Sequence, residues 1–582
     1  MTADTLDQLL DALARHRTGD IAGAGAQCRA VLTREQHPAA LHLLGVIAMT
    51  ANQPFEALAL LRRAADLRPA DSDTRLALGN ALAATGETVA AVAAYRRVLS
   101  DQPGHPAALA NLSQALRSLG ETQAALEAAH AAVAALPGSA KALTALALAL
   151  LQARQADHAE AAADAAIAVD PKFAEAWIAR GTARSALRRS AAAIADLDHA
   201  LTLDPGNAGA HLNLGNAHLD CDNDELAERH IRHALTLDPS LAEAHASLGF
   251  LLTTRNLLPA AIEACDAAIR LRPRFAQARW NRSFAHLLAG DFVRGWADYE
   301  WRKQNFPDDF SPLPSEEWRG DSLAGRHLLV RAEQGMGDTI QFPRFLPLLV
   351  AAGARVTLAC ATPLIPLLRQ LPVTVVARED MPPPHDVWVD QMSLPRLFGT
   401  TPDTIPTPDR YLSAQDRPAQ DRPNADGGGV GIVWAGNPTH INDRRRSLPG
   451  SALAALAAAP GVAWVILQTG PRGAEANGVL GIADNATDLT DFAATAAMIA
   501  GLDLVIACDT AVAHLAAAMG KPVWIMLPHA PDWRWMHSRD DSPWYGSARL
   551  FRQPAAGDWA SVTAAVAGAL AEWRATLRQR AA

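Results

Sequence analysis

Lysine is nearly missing from this chain: only Lys141, Lys172, Lys303 and Lys521 stand among its 52 lysines and arginines. The sole Gly-Lys pair, Gly520-Lys521, runs into Pro522, so no GxxxxGK[ST] phosphate loop is present. HExxH, GxSxG and GxGxxG are absent as well. Cysteine is scarce: Cys28, Cys221, Cys265, Cys360 and Cys508 are odd in number, far apart and never in a CxxC. That excludes a disulfide framework and a zinc knuckle, and predicts a reducing compartment. No basic-then-apolar leader opens the sequence, which begins MTADTLDQLL. The longest uncharged run, Ser447 to Pro471, is broken by Pro460-Gly461 and reads as helix, turn and strand. The expectation is a cytoplasmic protein without a transmembrane segment. Net charge is −9, against nucleic acid as the main partner. Aromatics make up only 5% of a chain that is 49% hydrophobic, so the apolar residues are mainly small and aliphatic.

What is present first is a repeat. Prolines recur at 69, 103, 137, 171, 205, 239 and 273, every 34 residues. Small residues keep the same period at Gly45, Gly79, Ser113, Ala147, Gly181, Gly215, Gly249 and Ser283, and again twelve positions on, from Ala57 to Gly295. Helices that cross closely need small side chains, and proline stops a helix. The period and positions resemble the tetratricopeptide repeat, with eight repeats and a degenerate cap over residues 4–36. Asparagine recurs on the first helix at Asn111, Asn213 and Asn281, and three positions on at Asn80 and Asn216. These positions resemble the asparagine ladder of the protein O-linked N-acetylglucosamine transferases and are expected to line an acceptor-peptide groove, although plain helix polarity explains them too. Asp220, Asp222 and Asp224 lack the glycine and the twelfth-position glutamate of an EF-hand loop and read as a turn.

Twelve of fourteen tryptophans follow residue 290, so the composition breaks there. Beyond it the strand-like runs HLLVRAE, RVTLAC, VTVVA and DVWVD alternate with helices. After a polar stretch come GVGIVWAG, VAWVILQ, DLVIACD and KPVWIMLP. Strands alternating with helices predict parallel sheets. The expected layout is an all-α solenoid over 1–304, a linker over 305–325, and two Rossmann-like lobes over 326–425 and 426–582. Ligands in such lobes bind beyond the carboxyl ends of the strands.

Three loops at those ends carry chemistry. In AEQGMGDTIQF, Asp338 opens a helix, either as a cap or as a general base for an acceptor hydroxyl. In WAGNPTHINDRRRSLP, Asn437 stands near Arg444, Arg445 and Arg446, whose forks suit phosphate oxygens. In CDTAVAHLAAAMGKPVW, a strand ends at Asp509-Thr510 and a helix starts at once, pointing free N–H groups at a diphosphate. His514 follows one turn later. Trp533, Trp535 and Trp544, in a later loop, are read either as a lid over the donor or as packing for the C-terminal helix.

Strand–GD–helix in the first lobe and D-T-x-x-x-H-L-A-A-A-x-G-x-P in the second resemble the lipopolysaccharide heptosyltransferases, glycosyltransferase family nine, over about residues 317–570. The resemblance implies a glycosyltransferase-B fold and inverting transfer from a nucleotide sugar with no metal or other cofactor. Asp338 then matches the catalytic base, and Asp509, Thr510 and His514 the donor motif. The family's glycine after Asp-Thr is Ala511 here, and its phosphate-neutralising lysine has no counterpart unless the arginine cluster supplies that charge. The expected function is transfer of a sugar to a protein or peptide acceptor recruited by the repeats. The alternatives are a non-catalytic scaffold and a transferase acting on a polysaccharide.

Overall fold

Where the paired helices of each repeat cross, side-chain size sets how closely they approach. The computed structural model describes residues 3–414, 429–440, 442–457, 459, 462–475 and 489–581. The chain forms two compact units, residues 1–239 and 240–582. The first is all-helical, seven pairs running from Ala3–Arg17 with Ile21–Leu32 to Ala208–Asp220 with Asp224–Leu237. A Cβ on Gly45, Gly79, Gly181 or Gly215 would stand 2.5–2.8 Å from Leu61, Tyr95, Leu197 or Ile231. Glycine is required there because its partner is large. Where the residue at the same offset is Ala129 or Ala163, the register relaxes to Ser113 and Ala147, and Ser113 Oγ donates to the Ala125 carbonyl at 2.7 Å. The recurrent prolines lie in the turns between pairs.

A further register, invisible to the sequence reading, lies in the turn within each pair. Asn52, Gly86, Gly120, Arg154, Arg188, Asp222, Asn256 and Gly290 all have φ between 56° and 86°. The acidic cluster around Asp222 is therefore a left-handed turn of the repeat.

The second unit opens with two more pairs, Ala242–Thr254 with Leu258–Leu271 and Ala276–Leu288 with Phe292–Tyr299. Ten strands follow: β1 (Glu316–Glu317), β2 (His327–Arg331), β3 (Arg355–Cys360), β4 (Thr374–Ala377), β5 (Val387–Asp390), β6 (Gly429–Val433), β7 (Ala463–Ile466), β8 (Leu504–Cys508), β9 (Val523–Leu527) and β10 (Ala548–Arg552). They form two parallel sheets, ordered β1-β5-β2-β3-β4 and β10-β9-β8-β6-β7. All eight expected strands are present. The stretch read as a linker instead supplies the edge strand β1 and the buried Trp318. The expected lobe boundary at 425/426 and the Pro460-Gly461 break lie outside the described residues.

In each sheet the direction of winding reverses once, between β2 and β5 and between β6 and β8. The crevice at such a reversal is where α/β sheets bind ligands, because the connecting helices there lie on opposite faces.

The tryptophans of the loop 529–546 pack against the last helix pair rather than the terminal helix, and Trp533 also lines the cleft described below. Trp533, Trp535 and Trp544 are buried. Trp533 meets Trp296 edge-on at 5.0 Å and Trp544 stacks beside Phe292 at 6.0 Å. The last helix pair and the second sheet's loops thus share one aromatic core, each such ring pair adding about 0.5–1.5 kcal/mol beyond its area. Among the described residues no helix is long and apolar enough to cross a membrane.

Candidate functional site

The carboxyl ends of both sheets open into one cleft of about 1820 Å³, lined also by Gln277, Trp280, Asn281 and Phe284 of the last helix pair. Asp338, Asn437, Arg445, Arg446, Asp509, Thr510 and His514 all line it. Arg444 is exposed on the same helical turn and lies outside the lining. Among the described residues no group of three His, Cys, Asp or Glu side chains is placed to hold a metal ion.

Asp338 sits in the first turn of the helix Met336–Gln341. Its Oδ2 accepts from the Gly335 amide at 2.7 Å, so it does cap that turn. Its Oδ1 is ion-paired with Arg534 Nη2 from the loop after β9. The buried Arg534 also donates to Gln341 Oε1 and Asp532 Oδ1, both at 2.7 Å, and lies over the Trp533 ring at 4.1 Å. Burial opposes its charge, but Asp338 and Asp532 outweigh that, and its pKa is raised. Sequence reasoning passed over Arg534. Its only linear signal was its place just beyond the carboxyl end of β9.

Gly337 has a direct reason to be glycine. A Cβ there would lie 3.0 Å from His514 Cδ2 and 3.4 Å from Ala511 Cα, where the helix of the first sheet meets the helix Ala511–Ala518 of the second.

The loop after β6 is held by its own polar network. Gln468 Oε1 accepts from the Ala435 amide at 2.9 Å, Ser447 Oγ from the Gly436 amide at 2.9 Å, and Asp443 Oδ1 from Ser447 Oγ at 2.8 Å. Arg446 lies so close that a Cβ on Gly436 would be 2.6 Å from its Nη2. Its buried Nε has no hydrogen-bond partner, and Asp443 Oδ1 is 3.6 Å away. Asn437 Oδ1 is occupied by the Thr439 amide and hydroxyl at 3.1 and 2.9 Å, an Asx turn.

Thr510 precedes the eight-residue helix Ala511–Ala518 in extended conformation, and its side chain makes no capping hydrogen bond. Its Oγ1 is buried without a partner. A helix start with its cap unmade favours an anion. Burial and the nearby Asp532 raise the Asp509 carboxyl to about 6. His514 is buried, stacked on Trp535 at 5.2 Å, with Nδ1 3.0 Å from the Tyr545 hydroxyl. Burial, then Arg534, Arg344 and Arg446, push its pKa well down, so it is a neutral wall of the site rather than a cation.

Of the asparagines, Asn80 and Asn111 meet directly. Asn80 Oδ1 accepts from Asn111 Nδ2 at 2.6 Å and from the Tyr95 hydroxyl at 2.9 Å. Asn213 donates to Thr182 Oγ1 at 3.0 Å, and Asn281 to the Ala246 carbonyl at 3.0 Å. These amides link neighbouring repeats. Asn216 is half-buried on the helix Ala208–Asp220.

Arg302, Glu333 and Tyr299 were also missed. Arg302 holds Glu333 through Nη2 and Nε at 2.6 and 2.8 Å, and Gln334 Nε2 donates to the Tyr299 hydroxyl at 2.8 Å. Gln334 has φ 62°, a strained conformation secured by that neighbour.

Comparison with known proteins finds matches in both parts of the chain. The tetratricopeptide repeat family matches residues 76–140, 144–208 and 178–242, and glycosyltransferase family 9 (heptosyltransferase) matches residues 481–526. The chain therefore combines tetratricopeptide repeats with a C-terminal α/β region resembling that transferase family. Protein FlbA of Caulobacter vibrioides is 29% identical over 386 residues, covering 53% of this chain and 64% of FlbA. Among solved structures, Cut9–Hcn1 of the APC/C is 15% identical with TM-score 0.42, covering 49% of this chain and 56% of its own. A Parabacteroides merdae tetratricopeptide repeat protein is 16% identical with TM-score 0.35, covering 43% and 99%.

Proposed function

We propose that this chain is an inverting glycosyltransferase that moves a sugar from a nucleotide sugar to a protein or peptide acceptor recruited by its repeats. The reading rests above all on one observation: the loops at the reversal points of both sheets meet in a single cleft, with Asp338 on one side and Thr510 and Arg446 on the other. The start of the helix Ala511–Ala518, with Arg445 and Arg446, would hold the donor diphosphate and stabilise the leaving group without a metal. Asp338 would accept the proton of the attacking hydroxyl. Because Gln277 and Asn281 line the same cleft, an acceptor lying along the last repeat reaches the reacting centre.

The test is a thermal-shift panel of nucleotide sugars. A donor at about a hundred times its dissociation constant adds about 2.7 kcal/mol of stability. Asp338→Asn should keep that shift and lose transfer by about 10²–10⁴-fold. A panel that never shifts the midpoint favours the scaffold reading, for which the Asp338–Arg534 pair is a purely structural contact. Normal turnover by the variant removes Asp338 as the base.

A further inference from the structure

The helix Ala3–Arg17 keeps a leucine face that nothing among the described residues covers. Its other face turns inward, where Ala12 and Leu9 join Cys28, Val31, Ala40 and Leu44 of the next two helices. Leu6, Leu10 and Leu13 point the opposite way and stay 41%, 57% and 41% exposed. The other leucines exposed in the first unit, Leu67, Leu119, Leu136 and Leu237, stand singly at helix ends, as scattered surface leucines do. Leu6, Leu10, Leu13 and Arg17 instead succeed one another by four, three and four residues. That is the spacing of a coiled-coil seam, which holds to one side of a helix and fits a second helix.

The charges on this face say which helix fits it. Among the described side chains of Ala3–Arg17, the exposed charges are Asp7, near its start, and Arg17, at its end. Arg15 is already engaged with Asp11 and Asp20, at 2.7 and 2.9 Å. The face is therefore acidic at one end, basic at the other and leucine between. Parallel pairing with an identical face would set Asp7 against Asp7 and Arg17 against Arg17. Antiparallel pairing sets Asp7 against Arg17 twice, so the face complements itself about a two-fold axis.

We propose that two copies of this chain associate antiparallel through the helix Ala3–Arg17. In the register that the spacing selects, Leu10 packs on Leu13 of the other copy, and this contact occurs twice at the centre. Leu6 lies under the aliphatic stem of Arg17 of the other copy, whose guanidinium reaches the adjacent Asp7. An apolar seam thus ends in an ion pair on either side. Such a seam, about three helical turns long, buries less than the ~1,600 Å² of a standard interface, which makes this a reversible dimer of micromolar strength.

The test is sedimentation velocity of the full chain over a micromolar concentration series in low salt, where exposed ion pairs are least screened. Wild type should pass from monomer to dimer. Leu10→Glu/Leu13→Glu should raise the dissociation constant at least tenfold, whereas Leu136→Glu, at a comparably exposed leucine elsewhere, should leave it unchanged. Asp7→Arg and Arg17→Asp should each weaken association severalfold by bringing like charges together. An equimolar mixture of these two single variants should recover the wild-type constant, because each offers the charge the other needs. Far-ultraviolet circular dichroism of every variant should match wild type. A wild type that stays monomeric throughout overturns the proposal and leaves the face to a different protein. A dimer that Leu10→Glu/Leu13→Glu does not weaken, or a mixture that associates no better than its two components alone, overturns it as well.

Discussion

Arg302 and Glu333 form a buried bidentate ion pair, at 2.6 and 2.8 Å, between the segment that follows the last repeat and the loop that carries Asp338. Glu333 Oε1 also accepts from the Met392 amide at 3.0 Å, and Arg302 Nη2 donates to Ser393 Oγ at 3.0 Å, so the pair reaches the carboxyl end of β5 as well. The segment that follows the last repeat is thereby part of the wall of the candidate site.

Arg302→Met leaves Glu333 buried and uncompensated, which should cost about 3–5 kcal/mol. Most of that should return in Arg302→Met/Glu333→Leu, where no charge is left buried. Burial already raises Glu333, and losing the guanidinium raises it further. The folded single variant then binds a proton that the unfolded chain releases, so its deficit should shrink at pH 5 relative to pH 8. Tryptophan fluorescence during urea unfolding reads this, because thirteen of fourteen tryptophans lie in residues 240–582.

Asp509 gives a second pH dependence. Its folded pKa of about 6 exceeds the unfolded aspartate value of about 3.9. The folded state therefore holds the proton more tightly, and this group's contribution to stability falls as pH rises between those values. Asp509→Asn removes the titration. Its thermal midpoint minus that of wild type should increase from pH 4 to pH 7 and then level off. A difference that stays flat across this range would place the carboxyl at an ordinary pKa.

Arg188 holds φ 60° in the turn where other repeats carry Gly86, Gly120 and Gly290. Its ion pair to Asp220 spans 3.9 Å with the arginine largely exposed, so little is lost by removing it. Arg188→Gly should stabilise the first unit by about 0.5–1 kcal/mol, the relief of left-handed strain exceeding the added chain entropy. Urea unfolding monitored by far-ultraviolet circular dichroism checks the sign.

Domain excision offers a cruder check. A fragment of residues 305–582 loses Phe292, Trp296, Tyr299 and Arg302, uncovering Trp533 and Trp544 and orphaning Glu333. It should aggregate on expression, whereas residues 240–582 should stay soluble with a cooperative melt. A soluble, cooperatively folding 305–582 fragment would show that the last helix pair is dispensable.

The elements read correctly from the sequence are those with strong local periodicity. Prolines and small residues at a 34-residue period specify helix pairs because each pair meets the same packing problem. Eight strands were legible as apolar runs, most of them buried on both faces, the edge strand β4 only half-buried. β1 was missed because two glutamates carry no apolar signal and it pairs only along an edge. β10 was missed because ARLFR carries two arginines in five residues and lies on an edge beyond the motifs. Arg534 was missed for another reason: its partner Asp338 is almost two hundred residues away, and no spacing links them.

The sequence alone determined the repeat, the two parallel sheets and the placing of Asp338, Arg446 and Thr510 at strand ends, because each follows from local spacing of residue types. Only the tertiary structure decided what those residues meet. It showed Asp338 paired with Arg534, His514 buried and neutral, and Asn80, Asn213 and Asn281 hydrogen-bonded to neighbouring helices. Ion pairing and burial depend on which distant segments pack together, and these long-range contacts leave no period in the chain.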